Sequence, residues 1–206
     1  MTEIILTATD RERIRDAVAA AEANTAGEIF TVVAETADDY RSVPVLWATF
    51  AALAVPLPLI FLTLLPASAI FLIQLAVFVV LAMVLSLPNV LPHVVPPSVK
   101  HAAARSLAVQ QFLAHGLHMT ERRTGVLIFV ALAERHAEII ADAGIAAKVD
   151  DAVWHAAMDT LIAEIKAGRF ADGLIAAIAT TGSVLVQHFP KRGDDRDELP
   201  NALILL

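Results

Sequence analysis

The chain has no cysteine, so neither a disulfide framework nor thiol chemistry is open to it. Charge is missing from a long stretch. Between Arg41 and Lys100 there is no Asp, Glu, Lys or Arg, which leaves 58 consecutive residues whose only ionisable side chain is His93. Basic residues are scarce: 15 Lys and Arg face 22 Asp and Glu, for a formal charge of −7 and a pI near 5.4. Nucleic acid is therefore not an expected partner, because its backbone calls for a basic patch. A Gly-rich phosphate loop, a Gly-x-Ser-x-Gly elbow and a His-Glu-x-x-His pair are also missing, so no complete catalytic set is legible. The first ten residues lack the basic region and apolar run of a signal peptide. Membrane insertion, if it occurs, is expected to be directed from within the chain.

What is present in excess is apolar. The 206 residues are 57% hydrophobic and 18% charged, with mean hydropathy +0.66. An average soluble domain is about 45–50% apolar and about 25% charged. A spanning helix needs roughly 20 apolar residues to cross roughly 30 Å of hydrocarbon, so the uncharged run supplies two spans. They are expected at residues 44–65 and 67–91, with the reversal at Pro66. Pro56 and Pro58 should kink the first span, and Pro88, Pro92, Pro96 and Pro97 should end the second. A buried hairpin of a soluble protein is the poorer reading, since so long an uncharged run would need a large covering surface. Sidedness follows from local charge: Arg41, Lys100 and Arg105 flank the spans and the reversal has no cation. That places the remaining chain in the cytoplasm, at a bacterial inner (plasma) membrane.

Outside the run, helix and strand signals alternate. Thr9-Asp-Arg-Glu12 reads as a capping box before Ile14, Ala17, Val18 and Ala21, one apolar helical face. Residues 28–34, 126–132 and 136–142 read as strands, the last two joined by a short turn at residues 133–135. Helices are expected over 98–118, from Asp150 or Asp151 to Gly168 with Val153, Trp154, Ala157, Leu161 and Ile165 inward, and over 170–188. The order predicts an α/β fold, a three-layer α/β/α sandwich with an inserted two-helix transmembrane hairpin. Residues 1–41 and 98–189 would form one domain, 42–97 the hairpin and 190–206 a charged tail.

Acidic groups gather at strand ends and loops. Asp38, Asp39 and Asp142 are the candidate ligands for Ca²⁺ or Mg²⁺, which favour oxygen donors. Arg123 with Thr124 offers a guanidinium and a hydroxyl suited to an anionic group. His115 and His118 have the i, i+3 spacing of two metal ligands but bring no further ligand pattern.

Three pieces together resemble the TPM domain family. They are Ala-Glu-Ala-Asn-Thr-Ala-Gly-Glu28 before a Phe-Thr-Val-Val strand, Arg123-Thr-Gly-Val-Leu-Ile-Phe-Val130 followed by Ala-Glu-Ile-Ile-Ala-Asp-Ala-Gly-Ile145, and Ile165-Lys-Ala-Gly-Arg-Phe-Ala-Asp-Gly-Leu174. The likeness covers residues 7–41 and 98–189. It implies an α/β/α fold displayed on a membrane; relatives include a thylakoid photosystem-repair protein, and acid phosphatase activity and calcium binding are associated with the family. Here the apolar anchor lies inside the domain instead of at its end. The expected function is a binding or membrane-complex assembly module, its partners the bilayer, other membrane proteins or a second copy. A weak metal-assisted phosphatase acting on phosphate monoesters through Asp38, Asp39 and Asp142 is the alternative. A hairpin that only shapes the membrane is a third reading.

Overall fold

A computed structural model describes residues 6–191 and 203–206. The chain divides into two compact units: Met1–Ala37 with Ala102–Leu206, and Asp38–His101.

The first unit opens with helix α1 (Ala8–Glu22). Its cap lies two residues earlier than the Thr9 box: Thr7 is extended, its hydroxyl accepts the Asp10 N–H, and the Asp10 carboxylate accepts the Thr7 N–H. Asp takes here the reciprocal position that Glu or Gln usually fills. Strand β1 (Glu28–Ala34) is buried along its whole length, as expected of a largely apolar strand covered on both faces. The apolar helices α2 to α5 of the second unit, described below, and helix α6 (Pro97–Ala114) separate it from strand β2 (Gly125–Ala131). A turn then leads to strand β3 (His136–Ala141) and helices α7 (Ala143–Ala146), α8 (Asp151–Lys166) and α9 (Phe170–His188). Asp150, the first of the two expected caps, accepts the Ala152 N–H at the start of α8.

β1 and β2 run parallel, from Glu28 opposite Gly125 to Ala34 opposite Ala131, and β3 is antiparallel to β2. A fourth strand, β4 (Leu203–Leu205), pairs parallel with β1 opposite Thr31 to Val33, giving the order β3-β2-β1-β4. The apolar end of the chain was expected only as part of a charged tail. Three residues show no periodicity, and only the open edge of β1 gives them a role. Glu22 covers another part of that edge, its carboxylate accepting the Ile29 N–H at 2.6 Å.

Alternation along the strands makes two cores. Ile29, Val33, Val126, Ile128 and Val130 pack with residues of α1, α8 and α9. Phe30, Val32, Leu127 and Phe129 pack with Ala104, Ala108 and Phe112 of α6. The sheet is thus covered on both faces, the three-layer arrangement the element order predicts. α1 and α9 approach closely: a Cβ at Gly182 would lie 2.6 Å from Ala21 Cβ. Any larger residue would push the helices apart.

The second unit holds α2 (Ser42–Ala54), α3 (Pro56–Leu62), α4 (Ala67–Leu85) and α5 (Leu91–Val94). The first apolar segment breaks at Val55, because Pro56 has no N–H to donate. Helix α4 stops at Leu85, short of residue 91, as the chain approaches Pro88. The small Ala48 and Ala52 of α2 are buried where it packs on α4. No residue of α3 or α4 is buried.

Candidate functional site

Arg123 ends the approach to β2 with φ at 56°, an uncommon left-handed conformation for a residue with a side chain. Its carbonyl accepts the Gly144 N–H at 3.1 Å. A Cβ at Gly144 would stand 2.5 Å from that oxygen and 2.6 Å from the Arg122 oxygen, so only glycine allows this approach. The turn brings the Arg123 guanidinium onto Asp142. Nε donates to Oδ2 at 2.7 Å and Nη2 to Oδ1 at 3.0 Å, a bidentate pair. Asp142 is buried, while the Arg123 side chain is half exposed. The hydrogen bonds to Asp142, and then its charge, hold the Arg123 pKa above its ordinary value. Asp142 Oδ1 also accepts the Ala143 N–H, capping α7, and the Asp142 N–H donates to Gly125 O. This Arg–Asp pair joins the end of β3 to the start of β2.

Thr124, expected beside Arg123 at an anion site, is almost wholly buried. Its hydroxyl donates to the Ala26 carbonyl at 2.8 Å, and its N–H donates to the Thr120 hydroxyl at 3.0 Å. Together with Glu28 N–H bonded to Thr124 O, these contacts set the register of β1 against β2. Thr124 is positioned as a structural latch, and Arg123 presents only the outer side of its guanidinium.

Of the three candidate aspartates, Asp142 belongs to the sheet unit and Asp38 and Asp39 to the second unit. Asp142 stands at the amino end of the parallel pair. The chain leaves toward Asp38 at the other end, where Glu134 holds it: Oε1 accepts the Thr36 hydroxyl and the Ala37 N–H, each at 3.1 Å. In the second unit, Asp38 Oδ1 accepts the Asp39 N–H at 2.7 Å, and Asp39 pairs with Arg41 at 2.7 Å. Among the described residues no group of three or more His, Asp or Glu side chains is placed to hold a metal ion. His115 stacks near Phe30, ring centroids 4.4 Å apart, and its Nε2 lies 3.2 Å from Gln111 Oε1.

Two carboxylates that the sequence does not mark also tie the fold together. Glu134 was assigned only to a turn, yet it is buried and ties β1's exit to that turn. Glu138 lies on β3, ion-paired with Arg105 of α6, and its Oε1 stands 3.4 Å from His136 Nε2. Burial raises its pKa, but His136 and Arg105 outweigh that and set it below the ordinary value. Its signal was a lone charge inside an apolar strand, legible only with knowledge of what packs opposite.

No curated protein matches the chain. Among solved structures, the NMR structure of BA42 protein from the psychrophilic bacterium Bizionia argentinensis is similar at TM-score 0.64 and 23% identity. That match covers 100% of this chain and 99% of the other, and it shows a shared fold. The family model of the TPM domain matches residues 91–184, which include α6, β2, β3, α7, α8 and most of α9 with the Arg123–Asp142 pair. Over those residues the chain is similar to the TPM domain family.

Proposed function

We propose that this protein holds a TPM-type binding domain at a membrane, anchored by the two apolar segments Ser42–Leu62 and Ala67–Leu85. Among the described residues three helical segments are long and apolar enough to cross a bilayer, and they differ in what surrounds them. Phe170–His188, with mean hydropathy 1.4, is 44% buried and supplies Leu174, Ala177 and Ile178 to a core. Ser42–Leu62 and Ala67–Leu85 have mean hydropathy 2.2 and 2.8 and are 11% and 0% buried. The observation that carries the reading is α4: it carries no charge on any side and none of its residues is buried. Large side chains such as Phe50, Phe61, Leu62 and Phe71 are exposed. Water disfavours so continuous an apolar surface, and lipid accepts it.

A binding role is supported by how the polar side chains are used. Arg123, Asp142, Thr124 and Glu134 all hold elements of the fold together. The exposed faces of α1 and α8 remain to meet a partner at the membrane. Arg41, Lys100 and Arg105 flank the apolar segments and the reversal lacks any cation, which favours a cytoplasmic position for the α/β domain.

The test is fractionation of cells expressing the full chain, with reporters fused at its C-terminus. The protein should stay with the membranes through alkaline carbonate, with a fluorescent reporter active and an exported phosphatase reporter silent. Detergent-free recovery in the soluble fraction would overturn the anchor. Carbonate resistance with the reporters reversed would overturn the sidedness alone.

A further inference from the structure

Three hydroxyls in and beside the apolar helices bond back to their own helix. Thr49 donates to Val45 O and Ser86 to Ala82 O, both at 2.7 Å, and Thr63 donates to Leu59 O. Trp47 Nε1 donates to Val94 O at 3.2 Å. Gln74 differs: its carboxamide makes no hydrogen bond with any described residue. It lies seven residues into α4, about 10 Å along the helix at 1.5 Å per residue, which is hydrocarbon depth for a spanning helix. Lipid offers it no partner there.

Gln74 opens into a shallow depression along the seam of α2 and α4, beside Thr49, Ala52, Leu53, Phe71 and Leu75. The rim is apolar, and Leu53, Phe71 and Leu75 are exposed. Thr49, the other polar lining residue, already donates its hydroxyl to Val45.

We propose that two copies of this chain associate within the bilayer at this depression, the carboxamide of each Gln74 donating to and accepting from that of the other. A carboxamide carries both donors and an acceptor and is self-complementary. In a two-fold contact a residue near the axis meets itself. A second copy therefore brings the required group at the required depth by symmetry, whereas an unrelated membrane protein would need a polar group placed there independently. Leu53, Phe71 and Leu75 close around the pair and exclude lipid. The inference rests on the membrane reading above.

Self-association of the full chain in phospholipid vesicles is measured by energy transfer between labelled copies as the protein-to-lipid ratio falls. Wild type should associate; Gln74→Leu should weaken association about 3- to 30-fold, the range interhelical polar pairs supply. Gln74→Asn should retain part of it. With no native cysteine, single-cysteine variants report geometry directly. Leu75→Cys should cross-link on oxidation, and Val80→Cys, on the other side of α4, should not. Association of Gln74→Leu equal to wild type, equal cross-linking at both positions, or a wild type monomeric at every ratio overturns the proposal. Carbonate extraction of each variant separates the two readings: membrane-retained monomers defeat the pairing alone, and a soluble chain defeats the anchor as well.

Discussion

Arg123 grips both carboxylate oxygens of Asp142, at 2.7 and 3.0 Å, although 19 residues separate them in the chain. The same carboxylate caps α7, so one side chain secures two connections. Asp142→Ala should lower stability by about 1–3 kcal/mol, the usual range for losing a hydrogen bond to a charged group. Asp142→Asn should be milder, since it keeps an acceptor for the Ala143 N–H. Arg123→Ala added to Asp142→Ala should cost little more, because the first change has already removed the pair. Urea unfolding of the full chain in detergent, followed by fluorescence of the buried Trp154, measures each. An unchanged midpoint for Asp142→Ala would show that the pair is ornamental to stability.

The acid limb of stability should depend on Glu138. Its pKa is lowered in the folded protein, so its contribution is fully present above the unfolded glutamate value of about 4.3 and is lost as pH falls through the folded value. The groups facing it are His136 on the same strand and Arg105 on α6. Glu138→Gln should be less stable than wild type near neutrality, and the difference should shrink below about pH 4. Unfolding midpoints at a series of pH values decide this. Parallel curves for the two proteins would mean that Glu138 gains nothing from its neighbours.

The α/β unit should survive removal of the apolar helices. β1 and β2 pair along seven residues each, and both cores draw on segments before and after the helices. Joining residue 41 to residue 100 through a short flexible linker should give a folded protein that needs no detergent. Dispersed amide resonances with protected β1 and β2 amides are the expected result. A disordered or aggregated product would show that the sheet depends on residues 42–99.

Much of this architecture is local and therefore legible in the residues. The β-branched and aromatic run at residues 28–34 and the continuous apolar run at 126–132 determine strands covered on both faces, and the structure shifts only the second, by one residue. The periodic face containing Trp154 and Leu161 determines α8, and the uncharged run determines helices that leave most of their apolar surface exposed. Other features exist only through partners distant in sequence. Leu203–Leu205 is a strand because the edge of β1 is open beside it, and Glu134 is a tether because the turn after β2 meets the exit of β1. Arg123 and Asp142 each looked like groups awaiting a ligand; folding gave them each other. Composition and periodicity determine which surfaces must be hidden. Which buried charge meets which counterpart is decided by strand pairing, since hydrogen bonds act over about 3 Å and only the folded chain sets such distances.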